Sequence, residues 1–255
     1  MAKARFGMEF PVAVVTAALL LAGPPAVRAD TLAVSVHPTT NSAASETSPT
    51  LGFDGMYNIV VYTRRETPTA QGDIWYQRLT ANGVPIGSPF QVSGGTTDDR
   101  LNDVSGSLIV YTALDATGLG MIRLYDISNG STSDLMPAPD SVREARIHGT
   151  RVAWVQGAPG ATRIEVLDLG WPTLNSVTIS GSNPARAVEV GERYLVWEER
   201  DLTSDLSDVF AYDMDAGLNI PVAAEPSDER SPATYGDYVV WVGRWGGTRP
   251  SGPGT

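Results

Sequence analysis

Cysteine is absent from this 255-residue chain, so disulfides do not stabilise it and thiolate ligands for a metal are excluded. The only two histidines, His37 and His148, are too few to indicate a Ser/His/Asp triad. Beyond residue 29 no apolar run is long enough to span a bilayer, and no stretch shows the 3.6-residue period of a helix. These absences favour an all-β protein without metal or cofactor, and we predict no catalytic residues.

Positive charge is also scarce, since the formal net charge is −11 at pH 7. An acidic surface repels nucleic acid and anionic lipid, which argues against both as partners. The hydrophobic fraction of 42% is sufficient for a core, and 26 glycines with 18 prolines indicate many turns. The chain length fits one large all-β domain, which we expect to be monomeric.

Residues 1–29 have the pattern of an export signal. Lys3 and Arg5 precede an apolar run over 11–22, and Ala29 ends a Val-Arg-Ala sequence that predicts cleavage before Asp30. The alternative is an uncleaved N-terminal anchor. Cleavage predicts a periplasmic or extracellular protein with no membrane insertion.

The rest of the chain is organised by five repeats, in each of which a glycine turn precedes an apolar run that contains an aromatic residue. The aromatic residues are separated by steps of 49, 43, 43 and 44 residues. In the first four repeats a second strand follows, and weaker third strands are visible at 90–92, 177–179 and 220–223. The apolar runs are 59–62, 108–111, 152–155, 194–197 and 238–241, and the second strands are 74–79, 122–127, 164–169 and 209–214.

A period near 44 residues with short strands is typical of β-propeller blades. We therefore predict about five blades of four short antiparallel strands. The apolar runs do not alternate, which fits a middle strand that is covered on both faces by neighbouring blades. Residues 39–50 are rich in Ser and Thr and are predicted to form a loop.

At these motifs the chain resembles the TolB-like, WD40-like propeller repeat family of exported bacterial proteins. The resemblance covers about residues 48–242 and is clearest at 73–76, 208–213 and 231–241. The Ser-Pro-Asp-Gly turn of that family is replaced here, for example by Phe53-Asp54-Gly55. The resemblance implies a propeller fold, and it carries over no catalytic residue.

The fifth repeat lacks its second strand. We predict that an N-terminal strand at 32–36 completes the last blade, because closure hides an otherwise exposed sheet edge. The alternative is that the chain is part of a larger ring. The predicted domains are a signal peptide at 1–29, a closing strand and loop at 30–47, propeller repeats at 48–242 and a Gly/Pro-rich tail at 243–255.

An arginine recurs just before the glycine turns. Arg100, Arg143 and Arg230 each lie six residues before their glycine, whereas Arg186 lies five before Gly191. A rim of guanidinium groups could bind a carboxylate or another anion. Alternatively, these arginines pair with local acids. By simple alternation Arg186 would point to the other face of its strand unless a bulge intervenes.

Two groups of acids suggest alternative chemistry. Asp201, Asp205 and Asp208 could offer oxygen ligands to calcium, although their spacing matches no known calcium loop. Glu198, Glu199 and Asp201 follow Trp197, and they could serve glycoside hydrolysis if two of these carboxylates converged.

The repeats predict a propeller scaffold, and no sequence motif indicates catalytic residues. We therefore predict a non-enzymatic propeller that binds a protein, peptide or envelope component. A carbohydrate-active enzyme or a lectin is the alternative.

Overall fold

The computed structural model describes residues 13–15, 36–38, 43–170, 176–181, 183–223 and 227–244. All regular secondary structure in these ranges is β-strand. Within them, no helix is long and apolar enough to cross a membrane. The chain forms two compact units, Met1–Leu101 and Asn102–Thr255.

The chain begins with a short antiparallel pair, β1 (Ala13–Val15) and β2 (Val36–Pro38). Apart from β1, the predicted signal lies outside the described residues. Residues 32–35 of the predicted closing strand also lie outside them, and Val36 pairs with Val15. The closing role of 32–36 therefore stays a prediction.

Four antiparallel sheets of four strands follow, in agreement with the predicted blades. In each of these four sheets, strands that are consecutive in the chain lie next to each other. Sheet 1 contains β3 (Ser45–Phe53), β4 (Asn58–Arg65), β5 (Asp73–Leu79) and β6 (Pro85–Gln91), and sheet 2 contains β7 (Asp98–Ser105), β8 (Leu108–Leu114), β9 (Gly120–Asp126) and β10 (Ser131–Asp134).

The later sheets repeat this plan, but the fifth has two strands in the described part of the chain. Sheet 3 contains β11 (Val142–His148), β12 (Arg151–Gln156), β13 (Arg163–Asp168) and β14 (Val177–Thr178), sheet 4 contains β15 (Ala185–Val190), β16 (Tyr194–Arg200), β17 (Ser207–Asp213) and β18 (Leu218–Ala223), and sheet 5 contains β19 (Asp228–Tyr235) and β20 (Tyr238–Arg244).

The predicted apolar runs are the second strands of their sheets, and both faces of these strands are buried in sheets 3 and 4. On β12, Val152 and Trp154 pack into a core shared with sheet 2, whereas Ala153 and Val155 pack into a core shared with sheet 4. Such a strand has no polar face, which explains why its sequence does not alternate. In sheet 5 the equivalent β20 is largely exposed.

The predicted loop at 39–50 is wrong over residues 45–50, which begin β3. Its polar residues pair with β4 around a bulge at Ser48, whose φ is 53°. Equivalent bulges interrupt β11, β15 and β19, with positive φ at Glu144, Ala187 and Ser231. The bulge is therefore a repeated element of the first strand, and the polar stretches before the glycine turns are strands as well.

Candidate binding cleft between sheets 3 and 4

The three predicted binding arginines lie on the first strands of different sheets, and two of them are paired locally. The Arg100 Nη2 atom lies 2.9 Å from an Asp98 carboxylate oxygen. Arg230 Nε donates to Asp228 at 2.8 Å, and this hydrogen bond raises the pKa of Arg230. For these two residues the local pairing anticipated as an alternative is present.

Arg143 differs from both. Its side chain is exposed, and it makes no hydrogen bond or ion pair with any residue that the structure describes. The local sequence explains this difference, because Asp98 and Asp228 lie two residues before their arginines, whereas Ser141 occupies that position before Arg143. Val155, opposite Arg143 on β12, offers no charge either.

Arg186 pairs in the same register as Arg143 and Arg230, and each of the three is followed by the same bulge. Arg143 and Arg230 lie opposite the residues that follow Trp154 and Trp241. Arg186 lies opposite Glu198, which likewise follows Trp197. The apparent one-residue shift of Arg186 therefore arises in the turn after the bulge, and the expected change of face does not occur.

A cleft of about 240 Å³ opens between sheets 3 and 4 and brings Arg143 together with two other arginines. We call it the arginine cleft. Its walls come from the starts of β11 and β15, the β12–β13 loop and the β16–β17 loop. The lining residues are Arg143, Glu144, Pro159, Gly160, Thr162, Pro184, Ala185, Arg186, Arg200 and Leu202.

Two of the cleft arginines are held by carboxylates. Arg186 Nε donates to Glu198 at 2.7 Å, and its Nη2 donates to the Ser207 hydroxyl at 3.0 Å. Arg200 Nε donates to Asp205 at 2.6 Å. These contacts fix both guanidinium groups at the cleft wall, whereas Arg143 donates to none of the described residues.

One acid also lines the cleft, and it has a structural role. The Glu144 carboxylate accepts a 2.6 Å hydrogen bond from the backbone N–H of Ala187, which is the bulge residue of the next sheet. Glu144 thereby links sheets 3 and 4 beneath the cleft. The lining as a whole contains three arginines and one glutamate, although the chain is acidic.

The recurring arginines of the sequence include two that line the cleft, Arg143 and Arg186, but the rest of the lining was not predicted. Arg200 belongs to no recurring motif, and the cleft forms because two loops from different repeats approach each other. Arg230 is not part of its lining, and Arg100 belongs to the other compact unit. The absence of an acid two residues before Arg143 was the available signal that this arginine differs from Arg100 and Arg230.

Glu198 and Glu199, which were considered for glycoside hydrolysis, are buried, and both accept hydrogen bonds from other groups of the protein. Glu198 accepts hydrogen bonds from Arg186 and from the backbone N–H of Ser231. Glu199 accepts from Trp197 Nε1 at 2.9 Å and from the Gly181 N–H at 2.6 Å. Adjacent strand residues point to opposite faces, so this pair does not converge on one substrate.

The acidic residues considered for calcium are separated by their contacts. Asp201 accepts from the Thr203 N–H at 2.7 Å within its own turn, and Asp205 pairs with Arg200. Asp208 lies opposite Glu199 in the strand ladder. Among the described residues, no three metal-ligating side chains converge to hold an ion.

We expect Asp208→Asn to raise the Tm at pH 7 by about 1–3 °C. Burial, followed by the carboxylates of Glu229, Asp201 and Glu199, raises the pKa of Asp208 above its ordinary value of 3.8. Charging Asp208 therefore destabilises the fold as pH rises from 3.8 through the raised pKa. The Tm difference should vanish below pH 3.8, which thermal unfolding monitored by circular dichroism across pH 3–8 will measure.

Asp213→Asn is the matched control on the same strand. A hydrogen bond from the Ala216 N–H and the contacts with Arg193 lower the pKa of Asp213 despite its desolvation. Its charge therefore stabilises the fold above the unfolded-state pKa, and this contribution is lost as pH falls. The control should lower the Tm at pH 7; a decrease for Asp208→Asn as well would contradict the repulsion argument.

The recurring aspartates at the ends of the third strands, Asp126, Asp168 and Asp213, accept hydrogen bonds from the turns that follow them. Asp126 accepts from the Ser128 N–H at 2.9 Å, and Asp213 accepts from the Asp215 N–H at 3.0 Å. Asp168 likewise accepts from the Gly170 N–H at 2.9 Å. Each carboxylate thus stabilises the turn that follows it.

No protein-family model and no curated protein sequence matches this chain. Solved structures do match. TolB from Acinetobacter baumannii is 17% identical with a TM-score of 0.53, over 79% of this chain and 49% of that one. A putative TolB from Agrobacterium tumefaciens is 14% identical with a TM-score of 0.54, over 73% and 69% of the two chains.

A puromycin-hydrolyzing peptidase from Mycobacterium tuberculosis is 16% identical with a TM-score of 0.58, over 74% of this chain and 31% of that one. The chain thus spans about half the length of the Acinetobacter TolB and about a third of the peptidase. At these identities the likeness concerns the fold. The chain is a β-propeller of the kind found in TolB and in the propeller domains of prolyl oligopeptidase-family peptidases.

Proposed function

We propose that this protein is an exported, non-enzymatic β-propeller scaffold that binds a protein, peptide or envelope component. The observation that carries the proposal is the arginine cleft, in which Arg143 is exposed and unengaged among described residues while the neighbouring arginines are fixed by carboxylates. Arginine is enriched at the energetic centres of protein interfaces.

The cleft also has apolar surface suited to a polypeptide partner. Leu202 lies at its edge and is 65% exposed, and Pro159 and Pro184 contribute rigid walls. Buried Glu198 and Glu199 are already hydrogen-bonded, so they do not favour a carbohydrate-active enzyme. The match to the puromycin-hydrolyzing peptidase covers about a third of that chain, so its activity is no part of the proposal.

Export is the second part of the proposal, and it rests on the signal pattern of residues 1–29. Removal of that segment before Asp30 places the scaffold in the periplasm or outside the cell. The acidic mature chain then meets envelope components rather than nucleic acid.

A photocrosslinking amino acid at position 202 tests the binding site in the cells that export the full chain. We expect a discrete adduct from position 202, because Leu202 lines the cleft. The matched control is position 218, where Leu218 is also on sheet 4 and is 61% exposed but does not line the cleft. Mass spectrometry of the purified protein also reports whether it begins at Asp30.

Equal adducts at both positions, or none at 202, would contradict binding at the cleft. A purified protein that retains residues 1–29 would contradict cleavage before Asp30, and it would leave binding at the cleft untouched. The two parts of the proposal are therefore tested separately by one preparation.

A further inference from the structure

We infer that the arginine cleft binds a carboxylate of a partner polypeptide, with the Arg143 guanidinium as the principal donor. The carboxylate comes either from a chain terminus or from an Asp or Glu side chain. This inference rests on the proposed binding function and adds to it the chemical class of the bound group.

Arg143 has N–H donors that no described residue accepts. An arginine side chain carries five N–H donors in a planar fork that matches a carboxylate with two parallel hydrogen bonds. Within the described residues, Arg143 uses none of these donors. Arg186 and Arg200 each bind a carboxylate through Nε, so the same cleft already shows guanidinium–carboxylate pairing twice.

The equivalent strands β11 and β19 differ in the partner that they provide for this arginine. Arg143 and Arg230 occupy the same register position, just before the bulge and opposite the residue after a tryptophan. Asp228 neutralises Arg230 within its own strand, whereas Ser141 leaves Arg143 without such a partner. A carboxylate brought by a ligand would supply what Asp228 supplies in sheet 5.

The lining of the arginine cleft also bears on which anion it binds, a carboxylate or a phosphate. The Glu144 carboxylate lines the cleft and is held there by the Ala187 N–H. A dianionic phosphate experiences about twice the repulsion from Glu144 and about twice the attraction to Arg143 that a carboxylate experiences at the same distances, so charge alone does not favour phosphate, and the apolar contacts favour an amino-acid carboxylate. The cleft of about 240 Å³ also fits a single small residue, and Leu202 with Pro159 and Pro184 provides apolar contact for its side chain.

The test is a ¹⁵N NMR titration of the mature chain with small probes at millimolar concentration. N-acetyl-leucine carries a terminal carboxylate, and N-acetyl-leucinamide lacks it. N-acetyl-aspartic acid α-amide carries only a side-chain carboxylate, and inorganic phosphate is the competing anion. We expect amide shifts at Gly160 and Leu202 with one or both carboxylate probes, whose relative affinities identify the preferred source, and weaker binding of N-acetyl-leucinamide and phosphate.

Two variants and one control assign the effect to Arg143. Arg143→Gln should weaken carboxylate binding about tenfold or more, the loss expected for a charge-assisted bidentate pair. Ser141→Asp keeps the arginine but installs the intrastrand partner that Arg100 and Arg230 possess, and it should weaken binding similarly. Arg230→Gln removes an arginine that is already paired and should leave the affinity unchanged.

Equal binding of N-acetyl-leucine and N-acetyl-leucinamide would overturn the inference, as would tighter binding of phosphate or no binding of either carboxylate probe. An Arg143→Gln variant with a native spectrum and unchanged affinity would also overturn it. Each of these results leaves the adduct at position 202 as an independent measurement, so failure of carboxylate recognition is distinguishable from failure of the proposed scaffold function.

Discussion

Trp197→Ala should lower the free energy of unfolding by about 3–5 kcal/mol, the usual effect of removing a large buried aromatic side chain. Trp197 is 1% exposed and packs in the core between sheets 3 and 4. Its ring stacks on Phe210 at 5.9 Å, and its Nε1 donates to buried Glu199. The substitution therefore creates a cavity and also leaves a carboxylate with one donor fewer. Urea unfolding followed by circular dichroism measures the loss.

Trp241→Ala is the matched control, since Trp241 occupies the equivalent position of the fifth repeat. Trp241 is 40% exposed, and β20 is exposed along much of its length. Less apolar area is removed from water there, so the loss should be about half of that for Trp197 or less. An equal loss at both positions would show that β20 is covered in solution, and it would contradict the exposed state of this strand.

The propeller could be predicted because its signal lies within single strands. A buried middle strand must be apolar on both faces, so the runs at 152–155 and 194–197 stand out at a spacing of 43 residues. The first strands lack such a signal. The sequence of β7, Asp-Asp-Arg-Leu-Asn-Asp-Val-Ser, has the composition of a loop. Its strand conformation depends on pairing with an apolar neighbour, which composition does not reveal.

β10 was missed for a related reason. It contains Ser131 to Asp134, and all four residues are exposed. An edge strand with exposed side chains carries no apolar pattern, and it is defined by its hydrogen bonds to β9. Hydrogen bonds to the neighbouring strand determine where such a strand forms.

The candidate site could be predicted only in part. The recurrence of Arg143 is visible in the sequence, but its lack of a partner among the described residues depends on Ser141 two residues earlier and on Val155 across the strand pair. Arg186 seems out of register because Gly191 comes one residue earlier in its turn, whereas the bulge and the pairing position of the arginine are the same as in the other repeats. Sequence spacing alone measures residues along the chain, whereas the face of a side chain is set by strand pairing.

The same bulges lead to the second large effect, at Glu198. This carboxylate is 4% exposed, and it accepts hydrogen bonds from Arg186 Nε at 2.7 Å and from the Ser231 N–H at 2.5 Å. Glu198→Val should lower the free energy of unfolding by about 2–3 kcal/mol, because it removes the carboxylate partner of half-exposed Arg186 and leaves the Ser231 N–H without its acceptor. Urea unfolding provides the value, and Glu66→Ala is the control, since exposed Glu66 pairs with Arg64 at 2.8 Å and should contribute at most about 1 kcal/mol.

A rescue experiment separates the bulge hydrogen bond from the ion pair. At the preceding junction Val155 occupies the position of Glu198, and the bulge N–H of Ala187 is satisfied by Glu144, itself a bulge residue. Ala187 is the bulge residue one repeat before Ser231, just as Glu144 is the bulge residue one repeat before Ala187. Adding Ala187→Glu to Glu198→Val should therefore restore part of the lost stability, because the new carboxylate reaches the same stranded donor.

The backbone at position 187 already accommodates such a residue, since Glu144 adopts a φ of 54° and Ala187 a φ of 52°. Ala187→Glu alone should be neutral or destabilising, because in the native protein Glu198 already occupies the Ser231 donor and a second carboxylate nearby is repelled. A positive coupling energy between positions 187 and 198 is thus the expected sign of the double-mutant cycle. Additive effects would mean that the cost of Glu198→Val comes from the ion pair with Arg186, and that the two junctions are not stabilised by interchangeable carboxylates.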